Sequence, residues 1–326
     1  MNNMKLSIII THYKEPVEVC IPMWNSLAFQ LAYNKEDLEI IWVQDGEEGE
    51  ISTVMLEGML GIEIKHLDLP HGGISKARNE GVKAATGDYV MFCDCDDQFQ
   101  HAFGLHLLFS AMAKEPDIIG SKFTEENRIV SDYAILPRDN DMTFVHGKAF
   151  RREFLLQNHL EFHEDLTKHE DGVFVFTCYK TAKTTQYIHT PFYLWRWNPN
   201  SVMRSIGAKH ALLFTYPDVI KARATLMEDL QERGHDIEML VAKAIMDAYY
   251  DFQKDEFNDP DLKSYRDKAI EATSKFYRKY KKLYYKNTGD VLSEIMAQCR
   301  NNAYQNGMKV ERVTLPQFIT ELKEFK

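Results

Sequence analysis

Apolar residues follow two rhythms over the first two hundred positions. Short, β-branched-rich runs at 5–11 (KLSIIIT), 38–43 (LEIIWV), 62–67 (IEIKHL) and 88–93 (DYVMFC) predict strands. Between them, apolar residues recur at helical spacing. Val17, Ile21, Trp24, Leu27, Ala28 and Leu31 fall on one stripe, and a second helix opens at Gly72-Gly73, runs over 75–85 and stops at Gly87. Further along, the pattern predicts a helix over 104–114, a short strand over 117–120 and an amphipathic helix over 146–158 entered by a His146-Gly147 turn. A strand-like run over 187–196 and a turn at Asn198-Pro199-Asn200-Ser201 follow. Alternation of this kind builds a mostly parallel sheet with right-handed crossovers, the α/β class. Beyond this region Gly and Pro thin out and helical periodicity dominates, as at 237–252. The expected organisation is an α/β domain over 1–205 and a smaller, mostly helical C-terminal domain over 206–326.

Composition narrows the class. With 326 residues, 44% of them hydrophobic and 27% charged, the chain can bury a core without disulfides or a structural metal. Its 39 Lys and Arg against 49 Asp and Glu give a net charge of −10. That excludes a surface that is basic all over, and with it a general nucleic-acid coat, while leaving room for one local basic face. Cys20, Cys93, Cys95, Cys178 and Cys299 show no framework spacing and read as reduced thiols of a cytoplasmic protein. The apolar run at 6–10 is too short for a signal-peptide core, and no stretch is long enough to predict a membrane span.

In a parallel sheet, ligands bind beyond the carboxyl ends of the strands. Those ends are Thr11-His12-Tyr13, Gln44-Asp45-Gly46 and Asp94-Cys95-Asp96-Asp97. Strand alternation would project Asp94 and Asp96 to one side. Two hard oxygen ligands there suit Mg²⁺ or Mn²⁺, which could neutralise a diphosphate leaving group. Taken alone, the same acids also describe a solvated turn.

Context changes that weight. Gly73-Ile74-Ser75-Lys76-Ala77-Arg78-Asn79-Glu80-Gly81 is followed by Gly87-Asp88-Tyr89, a hydrophobic strand and the acidic tip. With the first strand and its polar end at 7–13, Asp45-Gly46, His146-Gly147-Lys148-x-Phe150-Arg151-Arg152 and Glu170-Asp171-Gly172, this run resembles the family 2 glycosyltransferases over roughly residues 4–205. The resemblance implies a GT-A fold, a Rossmann-like, mostly parallel sheet. It also implies a nucleotide-sugar donor, Mn²⁺ or Mg²⁺, and inversion at the sugar carbon. Carried residue by residue, it assigns Thr11 and Tyr13 to the base and ribose pocket and Asp45 to a hydrogen bond from the base. Arg78 would lie on the base or the phosphates. Asp94 would hold ribose or metal, Asp96 would be the principal metal ligand and Asp171 the catalytic base. Arg196 and Ser201 would belong to a loop closing over the diphosphate. Gln44 stands where the family has the first acid of an Asp-Asp pair, so a UDP-sugar is expected while the base identity stays open. By residue type alone, Glu170-Asp171-Gly172 before an apolar run also reads as a helix N-terminus.

The acceptor is less legible. His169 and Glu170, beside Asp171, are candidates for acceptor contact. Trp195-Arg196-Trp197 could stack on sugar faces and grip phosphate, or pack as core. The segment 275–286 (KFYRKYKKLYYK) has no acid in an acidic chain. Its Arg278, Lys279, Lys281 and Lys282, interleaved with Phe276, Tyr277, Tyr280, Tyr284 and Tyr285, suit a polyanionic acceptor: teichoic acid, or DNA carrying hydroxylated bases. The plainer alternative is a helix with buried rings and solvated lysines. The expected function is therefore sugar transfer to a polysaccharide, teichoic acid or glycolipid hydroxyl, with DNA-base glycosylation as the sharper alternative. A nucleotide-sugar-binding protein without transfer is the alternative of another class, and it would need neither Asp96 nor Asp171. The C-terminal helices are a candidate surface for homo-oligomer formation.

Overall fold

A computed structural model describes residues 4–47, 51–129, 132–139, 141–198, 210–287 and 289–325. The chain divides into two compact units, Met1–Ser201 and Val202–Lys326.

In the first unit, β1 (Leu6–His12) is buried along its whole length, as its β-branched run predicts. It lies between β2 (Leu38–Asp45) and β4 (Tyr89–Asp94), both parallel to it, with Ile8 opposite Ile40 on one side and Met91 on the other. The outer parallel strand is β3 (Ile64–Leu69). On the far side of β4 the sheet becomes mixed. β8 (Ala149–Arg151) pairs antiparallel with β4, β6 (Ile118–Ile129) pairs antiparallel with β8, and β9 (Thr185–Trp195) runs parallel to β6. Two further strands, β5 (Gln98–Phe99) and β7 (Asp132–Arg138), pair with β9 and β6.

Strand alternation sorts the core into two layers. Ile8, Ile10, Trp42 and Met91 face α1 (Val17–Ala28) and α4 (Gly104–Met112), through Met23, Trp24, Leu105 and Leu108. Ile9, Ile41, Val90 and Phe92 face α3 (Ile74–Ala84), α5 (Arg152–Gln157) and α6 (Glu170–Thr181), through Ala77, Phe154 and Phe174. A short α2 (Val54–Leu60) completes the helices of this unit among the described residues.

Two sequence expectations fail here for tertiary reasons. The helix expected over 146–158 is instead β8 followed by the short α5. Phe150 pairs with Val90 along the edge of β4 that β1 leaves unpaired, so sheet pairing overrides local helical spacing. The strand expected over 117–120 extends to Ile129 and turns back as β7. Its polar Glu125 and Glu126 hid it from a reading based on apolar alternation.

The second unit holds α7 (Ala211–Glu232), α8 (Glu238–Asp251), α9 (Lys263–Tyr284), α10 (Gly289–Gln305) and α11 (Leu315–Glu324). Its core includes Leu213, Tyr216, Val241, Ile245 and Tyr277. Among the described residues no helix is long and apolar enough to cross a membrane. All five cysteines are buried free thiols.

The turn into β4 depends on a close approach. Gly87 N donates to Ser7 Oγ at 2.9 Å, and a Cβ at Gly87 would sit 2.8 Å from Ser7 N and 2.9 Å from Lys5 O. Those last two are backbone atoms of the β1 entry and cannot step aside. Gly87→Ala is therefore expected to lower unfolding free energy by about 1–3 kcal/mol in urea denaturation; an unchanged midpoint would refute this account.

Candidate functional site

Thr11, at the end of β1, pairs in register with Asp94 at the end of β4. The even positions of β4 face the α3 and α6 side, where Val90 and Phe92 lie. Asp94 continues that set. This places its carboxylate over Arg78 of α3, whose Nη2 donates to Asp94 Oδ1 at 3.0 Å. Arg78 Nη1 donates to Asp171 Oδ1 and lies 3.6 Å from Glu170 Oε1, both in the first turn of α6. One guanidinium, 2% exposed, thus holds three carboxylates from two segments far apart in the chain. The Phe162 ring lies 5.2 Å from its carbon. Arg78, expected near the donor's base or phosphates, is buried and engaged by these acids.

The tip of β4 differs from the expectation in one respect. The strand stops at Asp94, and Asp97 N donates to Asp94 O at 3.2 Å, closing a turn. Asp96 therefore lies on a turn, where strand alternation does not apply. Its Oδ2 accepts from Asn198 Nδ2 at 2.8 Å, and Arg196 Nη1 donates to its carbonyl oxygen at 3.2 Å. Asp97 is fully buried. It accepts from Tyr193 Oη at 2.6 Å and from Arg196 N at 2.9 Å. These bonds tie the end of β9 to the acidic turn. Trp195 packs 5.0 Å from Phe144 and 5.4 Å from His146, ring centre to ring centre. Trp197 N donates to Glu126 Oε2 at 2.7 Å. Ser201 lies outside the described residues.

Burial and neighbouring charge set the protonation of this cluster. Burial pushes Asp94 up, but the Arg78 guanidinium outweighs it and the carboxyl is held below its ordinary range. At Asp96, burial and then the Asp94 charge push the carboxyl up to about 6. Burial, then the Asp96 and Asp94 charges, raise Asp97 well above its ordinary value. Burial lowers His146 to about 4. Glu170 rises to about 7 through burial and the charge of Asp171, with Arg78 opposing.

The donor set fits a divalent cation. Ligand atoms of Asp94, Asp97 and His146 lie within 4.8 Å of one another, and His146 Nδ1 is a buried nitrogen with no hydrogen-bond partner among the described residues. The carboxylate oxygens suit Mn²⁺ or Mg²⁺, and an imidazole beside them favours a transition ion over Mg²⁺. Asp97 and His146 are buried, whereas Asp94 and Asp96 are partly exposed. The cluster that the structure brings together is Asp94, Asp97 and His146, while the Asp96 carboxylate is held by Asn198. Sequence reading did not single out His146, Asp97 or Asn198. The first two stood inside quoted motifs, but their burial and partners have no sequence signal.

At the neighbouring strand ends, Asp45 accepts from Gly72 N at 2.7 Å, Gly73 N at 2.9 Å and His71 Nδ1 at 3.0 Å. Tyr13 stacks on His71 with ring centres 4.3 Å apart. His12 is buried and its Nδ1 donates to Gln44 Oε1 at 2.7 Å, so the Gln44 departure serves the core. His169 precedes α6 in the left-handed region, at φ 63°.

The basic segment takes the plainer form. On α9, Phe276, Tyr277, Tyr280 and Tyr284 are buried in the helical unit. Lys279 pairs with Glu228, and Arg278 Nη1 donates to Phe325 O at 3.1 Å. Lys281 and Lys282 are exposed. Of the five rings in this segment, Tyr285 is exposed and the other four are buried.

Three comparisons bear on this geometry. The model of the family described as "Glycosyl transferase family 2" matches residues 7–188. The uncharacterized glycosyltransferase EpsJ of Bacillus subtilis (strain 168) is 30% identical over 216 residues, 57% of this chain and 62% of EpsJ. The poly(ribitol-phosphate) beta-N-acetylglucosaminyltransferase TarS of Staphylococcus aureus (strain Mu50 / ATCC 700699) is 25% identical over 194 residues, 55% of this chain and 33% of TarS. The chain thus spans less than two thirds of the length of these relatives. The crystal structure of S. aureus TarS 1-349 in complex with UDP-GlcNAc superposes with a TM-score of 0.57 at 18% identity, covering 93% of each chain. The fold is that of the GT-A enzymes.

Two outcomes follow from the buried cation. Arg78→Met leaves its carboxylates without a counterion and is expected to cost about 3–5 kcal/mol of stability in denaturant titration; a cost near zero would show that they do not depend on it. For Glu170, the folded state binds a proton more tightly than the unfolded chain between the ordinary value of 4.5 and about 7. Its contribution therefore turns unfavourable as pH rises through that window. Glu170→Gln should flatten the fall in melting temperature across it, and parallel pH profiles for the two proteins would contradict the burial of this carboxyl.

Proposed function

The chain belongs to glycosyl transferase family 2, and from that premise we propose that it is a metal-dependent, inverting glycosyltransferase. It would move a sugar from a UDP donor to a hydroxyl on a phosphate-rich polymer of the teichoic-acid class. The observation that carries this reading is the meeting of two acidic segments on one side of the sheet. The β4 tip at Asp94 lies across Arg78 from Glu170 and Asp171. A sugar placed over this pair, on the open side of Arg78, would have its diphosphate toward one segment and a carboxylate toward the other, as a single displacement with inversion requires.

In this reading Asp94 and Asp96 would hold Mn²⁺ or Mg²⁺, whose charge would stabilise the departing diphosphate. Asp171 takes the proton from the acceptor hydroxyl as that oxygen attacks the sugar carbon. Its carboxylate is oriented by Arg78 on Oδ1 and by Val145 N, 3.3 Å away, on Oδ2. Thr11, Tyr13 and Asp45 line the base and ribose side. Arg196, fixed to the acidic turn through its backbone, lies toward the diphosphate. Trp195 and Trp197, with His169 and Glu170, border the acceptor side. UDP is supported by the ligand of the TarS 1-349 structure, and a polyol-phosphate acceptor by the name of that relative. Lys281 and Lys282 on the helical unit suit a polyanion.

The test is incubation with UDP-, GDP- and dTDP-sugars plus Mn²⁺, with and without a polyol-phosphate acceptor, reading free nucleoside diphosphate. UDP release that rises with acceptor and stops with chelator is expected. Asp171→Asn should keep UDP affinity while kcat falls by about 10²–10⁴. Full turnover by that variant would remove the base assignment, and release unaffected by chelator would remove the metal.

A further inference from the structure

The carboxylate assigned to the nucleobase is already largely occupied. An ionised Asp accepts at about four lone-pair positions. Asp45 fills three of them, with Gly72 N on Oδ1 and Gly73 N and His71 Nδ1 on Oδ2. Its side chain is only 6% exposed. The group presented to solvent at this corner is the His71 imidazole, 54% exposed.

Four features fix that ring. Asp45 accepts a hydrogen bond from Nδ1. Tyr13 stacks on one face, 4.3 Å away and inclined by 13°. Beneath it, Gly46 adopts φ 103° and leaves the space in which a Cβ would sit 3.1 Å from the His71 Cβ. Gly46 N also donates to Leu69 O at 2.8 Å, holding the β3 exit against the β2 exit. The stacked rings are too close for a base to enter between them, since an intercalated ring needs about twice the usual stacking separation. A base at this corner meets the outer surface and edge of the pair.

The tautomer follows from the partners. An ionised carboxylate only accepts, so in the neutral ring the proton is on Nδ1 and Nε2 carries a lone pair. The described residues give Nε2 no hydrogen-bond partner. We propose that His71, held by Asp45 and Tyr13, is the residue that reads the nucleobase edge, with Nε2 accepting the ring imide N–H. This rests on the nucleotide reading above and assigns it a specificity-determining residue. A lone pair selects bases that carry a ring N–H on their pairing edge. Uracil, thymine and guanine do; cytosine and adenine present a ring nitrogen acceptor there and would be rejected.

The test is calorimetric titration of the full chain with UDP, N3-methyl-UDP and CDP, each with Mn²⁺. The wild type is expected to bind UDP about tenfold more tightly than the other two, the size of one directional hydrogen bond. His71→Phe keeps a ring on Tyr13 and removes the nitrogen, so its three affinities should converge to within about twofold. His71→Asn, with a carbonyl that can accept, should recover part of the discrimination. Retained tenfold discrimination in His71→Phe overturns the proposal and returns the base edge to Asp45. A flat profile in His71→Asn also counts against it, because loop collapse would then explain both variants. Equal wild-type binding of all three sinks this proposal and leaves the nucleotide reading standing. No wild-type binding of any of them removes both.

Discussion

The α/β unit is organised around one buried cation. Arg78 comes from α3 and reaches both the last residue of β4 and the first turn of α6. An arginine this deep is tolerated only because acids meet it, and acids this deep only because it meets them. Each partner lies where the fold must put it. Asp94 is the next even position after Val90 and Phe92, and α6 packs on the same face through Phe174. Packing of apolar side chains thus delivers the charges to one another.

A second set of bonds ties the turn after β4 to the end of β9. Asp97 is inaccessible, yet it ties Tyr193 and the Arg196 backbone to the acidic turn. Asn198 then reaches Asp96. The segment after β9 is thereby fixed against the turn after β4, although the two are about a hundred positions apart. A buried acid whose pKa is raised well above normal is costly, and here it fixes the geometry of a neighbour that stays accessible.

The helical unit shows how composition can mislead. Lysines and aromatic rings alternate over 275–286, and that alternation suits a nucleic-acid strand and an amphipathic helix equally. The helix turns Phe276, Tyr277, Tyr280 and Tyr284 inward and leaves lysines at its surface, several of them already paired.

The sequence by itself determined the parallel half of the sheet. Its inner strands β1, β2 and β4 are nearly continuous apolar runs, because both faces are covered, whereas the outer β3 carries Lys65, His66 and Asp68, and the carboxyl ends of the inner runs are where the polar residues collect. It also determined the acidic tip, the Glu170-Asp171 pair and the change to helices in the last third, since those are local in residue type or spacing. The tertiary structure alone decided that residues 149–151 form a strand, because only the flank of β4 rewards that conformation. It alone decided that Arg78 faces inward, that Asp97 is a brace and that His71 lies over Asp45. Each of those outcomes depends on partners distant along the chain, and residue type and spacing carry no record of such distances.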